Sequence, residues 1–258
     1  MSTYINNFLK YRPLLNELTV RDIKTRYRRS VMGVLWSLLN PLCTMIVLSI
    51  VFSNLFKSDI ENFPLYIMAG QVVFNFYSEA TSNSMNAIIG NSSLIKKAYI
   101  PKYLFVLSRI MSSLVNLMAS FAAFIGIMLV LRAEMHYTIV LAFIPIAFTT
   151  VFSAGVGLIL AAYAVKFRDL IHIYGVFITA LLYLTPIIYP MSMLPDTIRK
   201  VVLLNPLTNM VNMFRDVAIN GLLPGWQSIL IATAECAVVM IIGLYAFYKK
   251  QDSFILNI

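Results

Sequence analysis

Apolar residues run through this chain in six long stretches, at about 33–56, 64–89, 104–131, 139–165, 170–189 and 229–248. Each supplies the roughly 20 residues that an α-helix needs to cross a ~30 Å hydrocarbon layer. The pattern therefore predicts an all-α membrane protein with six transmembrane helices. The stretch at 64–89 is the least hydrophobic, with Gln71, Asn75, Glu79, Asn83 and Asn86 along its length, and it can span only with those groups turned toward protein or water. Ahead of the first stretch, Tyr11, Leu14, Leu15 and Leu18 recur at i, i+3, i+4 and i+7, followed by Arg21, Lys24, Arg26, Arg28 and Arg29. That spacing predicts an amphipathic helix lying along the membrane surface. Residues 1–32 are thus expected to form a cytoplasmic interface helix and residues 33–258 the six-span domain. Because residues 1–30 are polar and basic, without the apolar core of a signal peptide, the first span is expected to insert uncleaved.

Two connections are more than turns. Between spans two and three, Asn91, Ser92 and Ser93 are potential caps, an apolar run carries on to Ile100, and Pro101 stops it. This predicts a short cytoplasmic helix with Lys96 and Lys97 on its surface. Between spans five and six, Pro195, Pro206 and Pro224 separate segments at 196–204 and 208–220, whose apolar content predicts two re-entrant helices within about 191–224. Thr185-Pro186 and Tyr189-Pro190 interrupt the fifth span near its outer end, and Asn40-Pro41 kinks the first. Kinks beside a re-entrant segment predict a gate.

Charge fixes an orientation. The chain is 60% apolar and only 12% charged, yet carries a net charge of +9, a balance that excludes an ordinary soluble domain. Lys10, Arg12, the five bases from Arg21 to Arg29, Lys96, Lys97, Lys102, Arg109, Lys166, Arg168, Lys249 and Lys250 fall on one side. The other side holds only Lys57, Arg132, Arg199, Lys200 and Arg215, balanced by acids. Basic residues are retained in the cytoplasm, so both termini are expected there, in a multi-pass membrane protein.

Catalytic chemistry is not indicated. Cys43 and Cys236 both lie in apolar runs, the two histidines fall at opposite membrane faces, and there is no nucleotide-binding lysine loop or HExxH. No catalytic residue, metal or cofactor is expected in this chain, and no nucleic-acid partner. Glu79 and Glu235 are intramembrane acids, each needing a partner, water or a proton. Phe74, Tyr77 and Tyr183 in mid-span, with Tyr189 and Trp36, are candidates to line a glycan channel, because an aromatic ring offers an apolar face to sugar C–H groups. Interfacial belting accounts equally for Trp36 and Tyr189, and packing for the rest.

LTVRDIKTRYRRSVMGVLWSLLNPL at 18–42, KFRDL at 166–170, TPIIYP at 185–190 and NPLTNMVNMFRD at 205–216 resemble the membrane subunit of ABC-2 type exporters, within them the branch that handles O-antigen and teichoic-acid chains. The resemblance implies a homodimeric channel, two copies of a cytoplasmic ABC ATPase that binds ATP and Mg, and a lipid-linked polysaccharide cargo. It implies that the surface helix and the short cytoplasmic helix transmit ATPase motion, with Ser92, Lys96, Lys97, Tyr99 and Pro101 as coupling contacts. It implies that Pro186, Pro190, Asn205, Pro206 and Arg215 belong to the outward gate. Arg26, Arg28 and Arg29 either meet the phosphates of a lipid carrier or anchor the chain on anionic lipid. A drug or lipid exporter, or an ion-coupled carrier using Glu79 and Glu235, are the competing functions.

Overall fold

The computed structural model describes residues 2–27, 33, 35–53, 60, 62–97 and 100–254, and these are built of helices, with no strand among them. Arg28, Arg29 and Tyr99, expected above to meet lipid phosphate or the ATPase, lie outside the described residues. Helix α1 (Ser2–Tyr27) carries the amphipathic pattern. Leu15 and Leu18 are buried, Tyr11 and Leu14 pack on the core, and Asp22 extends the same face inward. Helix α2 (Leu35–Phe52) contains Pro41 and keeps much of its apolar surface outward.

Helix α3 (Phe63–Met85) is the centre of the molecule. Sixteen of its 23 residues are buried, which explains how the least hydrophobic stretch of the sequence is accommodated. Its neighbours are α2, α5 (Tyr103–Val130), α6 (Phe143–Ala164), α7 (Leu170–Leu184) and α9 (Pro206–Ala218). Its hydroxyls turn back onto its own backbone, Thr81 Oγ1 donating to the Tyr77 carbonyl and Ser84 Oγ to that of Ala80, both at 2.7 Å. Polar groups that would be costly against lipid are thus satisfied inside protein.

Among the described residues, four segments are long and apolar enough to cross a membrane: Leu35–Phe52, Tyr103–Val130, Tyr137–Ala164 and Trp226–Ser253. The two remaining stretches of the expected six fall short for different reasons. Helix α3 is too polar, and α7, at 15 residues, rises only about 22 Å before Thr185-Pro186 ends it.

Close helix packing depends on missing side chains. A Cβ on Gly155 of α6 would come within 2.8 Å of the Val239 backbone in α10 (Trp226–Lys250), and one on Gly243 would strike the Gly155 carbonyl. A Cβ on Gly157 would lie 2.7 Å from Ser84 Oγ, on α3. Small residues let helix backbones approach where lipid supplies no hydrophobic drive.

Candidate functional site

At one end of the bundle α1 is fastened to α3 and α5 by two carboxylates. Asp22 is only 5% exposed. Its Oδ1 accepts from Arg21 Nη2 at 2.8 Å and Nε at 3.2 Å. Its Oδ2 accepts from Ser108 Oγ at 3.1 Å and lies 3.5 Å from Arg109 Nε. Four residues on, Arg26 pairs with Glu79 Oε1 of α3. That same oxygen accepts from Ser113 Oγ at 2.9 Å and Asn116 Nδ2 at 2.7 Å. Glu79 therefore has its counter-ion on α1, and Arg26, expected to face lipid or cargo phosphate, is engaged with protein.

Beyond Asn86 the chain turns through Ile89–Asn91 into the short helix α4 (Ser92–Lys97). Ile95 is buried and holds it to the core, while Lys96 and Lys97 are exposed; Ser92 and Pro101 are half-buried. The C-terminal tail returns to this end, Lys102 Nζ donating to the Gln251 carbonyl and Lys250 Nζ standing 4.6 Å from the Tyr163 ring centroid.

At the opposite end the chain breaks after α7 and its backbone is held by one side chain. Arg215, on α9, is 5% exposed and no carboxylate reaches it among the described residues. Its Nη1 donates to the Pro186 carbonyl at 2.7 Å, and its Nη2 to the carbonyls of Tyr66 at 3.1 Å and Ile187 at 3.2 Å. The carbonyls past the C-terminus of α7 carry partial negative charge, and a planar guanidinium can satisfy several at once. A Cβ on Gly70 would meet Arg215 Nη2 at 2.9 Å, so this glycine makes room for the arginine. Asn205 caps α9, Oδ1 accepting from Leu207 N at 3.1 Å, and donates to Thr185 Oγ1 at 2.9 Å. Pro206 occupies the first turn, where its missing N–H costs nothing. Helix α8 (Asp196–Leu203) is amphipathic and mostly exposed, whereas α9 is largely buried against α3 and α6. Of the two segments expected to dip into the outer leaflet, the second belongs to the bundle itself.

A cavity of about 890 Å3 opens here, lined by Tyr66, Pro190, Arg215, Asp216, His136 and Arg132 among others. Arg132 has φ +52°. It closes α5 in a left-handed turn, with Arg132 N donating to Leu129 O and Ala133 N to Met128 O. Glycine is the usual residue in that place; an arginine there puts a cation at the cavity rim.

The sequence model of the ABC-2 type transporter family matches residues 13–219. The chain belongs to that family. It is 28% identical over 243 residues to the "O-antigen export system permease protein RfbA" of Klebsiella pneumoniae, covering 93% of each chain. The protein of the same name in Myxococcus xanthus is 27% identical over 98% of each chain. The "Polysialic acid transport protein KpsM" of Escherichia coli is 23% identical over 92% of this chain and 93% of its own.

In this ABC-2 transporter chain the aromatic candidates divide. Phe74 and Tyr77, expected above to line a glycan channel, are 3% exposed, their rings enclosed by neighbouring helices of this chain. Tyr77 packs on Phe152 at 5.8 Å, and its hydroxyl lies 3.4 Å from that of Tyr174, which donates to Thr81 Oγ1 at 2.7 Å. Tyr183 and Trp36 are exposed, at 64% and 54%, and Tyr189 donates to the Tyr183 carbonyl at 2.7 Å. Tyr66, Asp22, Ser108 and Asn116 were not anticipated. An isolated acid inside the basic run from Arg21 to Arg29 is the signal that could have pointed to Asp22.

Proposed function

We propose that this chain is the membrane-spanning permease of an ABC exporter that moves a lipid-linked polysaccharide, an O-antigen, teichoic acid or related surface glycan, out of the bacterial cytoplasm. The observation that carries this reading is near-full-length similarity to proteins named for O-antigen export and polysialic acid transport. Two copies of the chain form the conduit. ATP and Mg are bound by a separate cytoplasmic ATPase, two copies per complex, docked on α1 and α4. Both termini are cytoplasmic and six segments span, with α3 sheltered by protein. The fastening of α1, the tail and α4 to one end of the bundle supports a common side for the basic collar. The broken segment at 185–190 with α8 and α9 serves as the outward gate.

The test is deletion of the gene followed by analysis of lipid-linked glycans. A glycan retained inside the cell and restored to the surface by the intact gene is the expected result. Unaltered surface glycan, with an unrelated solute accumulating instead, sinks the reading.

A further inference from the structure

Between α1, the inner end of α3 and the start of α5 lies a second cavity of about 420 Å3 whose walls include Arg21, Arg26 and Arg109. Arg21 and Arg26 are committed to carboxylates. Arg109 is different. Among the described residues it has only the 3.5 Å ion pair to Asp22 Oδ2, and that through Nε, an atom shut off from solvent and without a hydrogen bond. Its terminal nitrogens donate to none of the described residues. The guanidinium is nevertheless held in place. Asp22 fixes one edge, and a Cβ on Gly90 would stand 3.8 Å from Nη2, so the absence of a side chain at Gly90 leaves that nitrogen uncovered toward the cavity.

Asp22 is already served by Arg21 and Ser108, and Glu79 by Arg26, Ser113 and Asn116. The three guanidiniums outnumber the two carboxylates. Two parallel donors on an arginine match the oxygens of phosphate in spacing and plane; Thr25 also lines the wall, its hydroxyl donated to the Arg21 carbonyl at 2.8 Å. We infer that this cavity binds the phosphate of a lipid headgroup, with Arg109 as the principal donor and Arg21 and Arg26 supplying field. Its placement at the cytoplasmic surface rests on the export reading above. Two lipids present that chemistry there, the carrier of the glycan and an anionic phospholipid of the bilayer.

The experiment uses the full chain purified in detergent, with inorganic pyrophosphate as probe and the thermal unfolding midpoint as readout. Pyrophosphate is expected to raise the midpoint beyond the effect of sodium chloride at equal ionic strength. Arg109→Gln is expected to weaken apparent binding about tenfold or more, the size of one lost charge-assisted hydrogen bond. Thr25→Glu adds a carboxylate to the wall from an exposed position, breaks no ion pair, and is expected to do the same even where Arg109→Gln fails to fold. No rise in the wild-type chain, or an undiminished rise in folded variants, overturns the site. Nanodiscs of phosphatidylcholine with and without phosphatidylglycerol separate the sources. Stabilisation by phosphatidylglycerol that Arg109→Gln removes identifies bilayer phospholipid, whereas stabilisation by a polyprenyl pyrophosphate added to phosphatidylcholine nanodiscs, again removed by Arg109→Gln, identifies the carrier. The measurement needs neither ATPase nor glycan, so its failure leaves the export reading standing, and a deletion strain that retains no glycan leaves the binding result standing.

Discussion

Arg215 and Tyr66 converge on a single acceptor. The guanidinium carbon stands 3.5 Å from the centre of the Tyr66 ring, and both side chains donate to the Pro186 carbonyl, Nη1 at 2.7 Å and the phenol at 3.3 Å. The phenol also donates to the Tyr189 carbonyl at 3.0 Å. Two residues from α3 and α9 thereby supply donors to the backbone beyond α7, including the Pro186 carbonyl that Pro190, lacking an N–H, cannot serve.

Replacing Arg215 with Met is expected to destabilise the chain by about 3 kcal/mol, since several buried carbonyls lose their donor together. Arg215→Lys should recover little of this, because an ammonium is a compact point charge without the planar fork. Thermal unfolding of both purified variants checks the expectation. A lysine variant as stable as wild type would show that charge alone suffices.

Glycine positions at helix crossings should respond unequally. Gly243→Ala sets a methyl against the Gly155 carbonyl, and backbone cannot step aside as a flexible side chain does. Overpacking of this kind costs about 1–3 kcal/mol. Gly126→Ala, with nothing within 4 Å of the added carbon, should be neutral or stabilising through helix propensity. Comparing the two unfolding midpoints tests the packing directly.

Pairing of Arg26 with Glu79 predicts coupling between α1 and the bundle. Both side chains are one-third exposed, so solvent screening holds the expected coupling to about 1 kcal/mol in a double-mutant cycle of Arg26→Gln and Glu79→Gln. Either variant should also hasten trypsin cleavage within α1. Cleavage at the wild-type rate in both would show that the pair does not hold the helix.

Charge reversal at Lys96 and Lys97, both exposed on α4, is expected to reduce co-purification of the ATPase subunit and leave membrane insertion intact. Full complex formation would remove α4 from the docking surface.

Tyr77→Ala and Tyr183→Ala separate packing from channel lining. Loss of the buried ring of Tyr77 should cost about 3–5 kcal/mol, as large-to-small core substitutions do, and lower the amount of protein in the membrane. Tyr183→Ala should leave protein level unchanged and reduce export. Equal protein levels for the two variants would contradict the burial of Tyr77.

Periodicity made much of this fold legible. The stripe of Tyr11, Leu14, Leu15 and Leu18 reads as one helical face and is one, and the prolines at 186 and 190 read as a break in the fifth stretch, where α7 ends. Partnerships between distant polar groups were not legible. Glu79 announces that it needs a partner, but nothing in local spacing says that Arg26, on another helix, supplies it. The burial of Phe74 and Tyr77 was not legible for a related reason: i, i+3 aromatics define a face without saying whether that face meets a channel or a neighbouring helix. The polar character of 64–89 signalled shelter from lipid, and only packing revealed that the shelter is the rest of the chain.

Continuous from Phe63 to Met85, α3 carries Tyr66 near one end and Glu79 near the other, about 20 Å apart along its axis. Tyr66 grips the interrupted strand of backbone beyond α7, and Glu79 grips α1. No proline interrupts the rod between them, so the anchor of α1 and the anchor of the broken backbone are two ends of one unjointed helix.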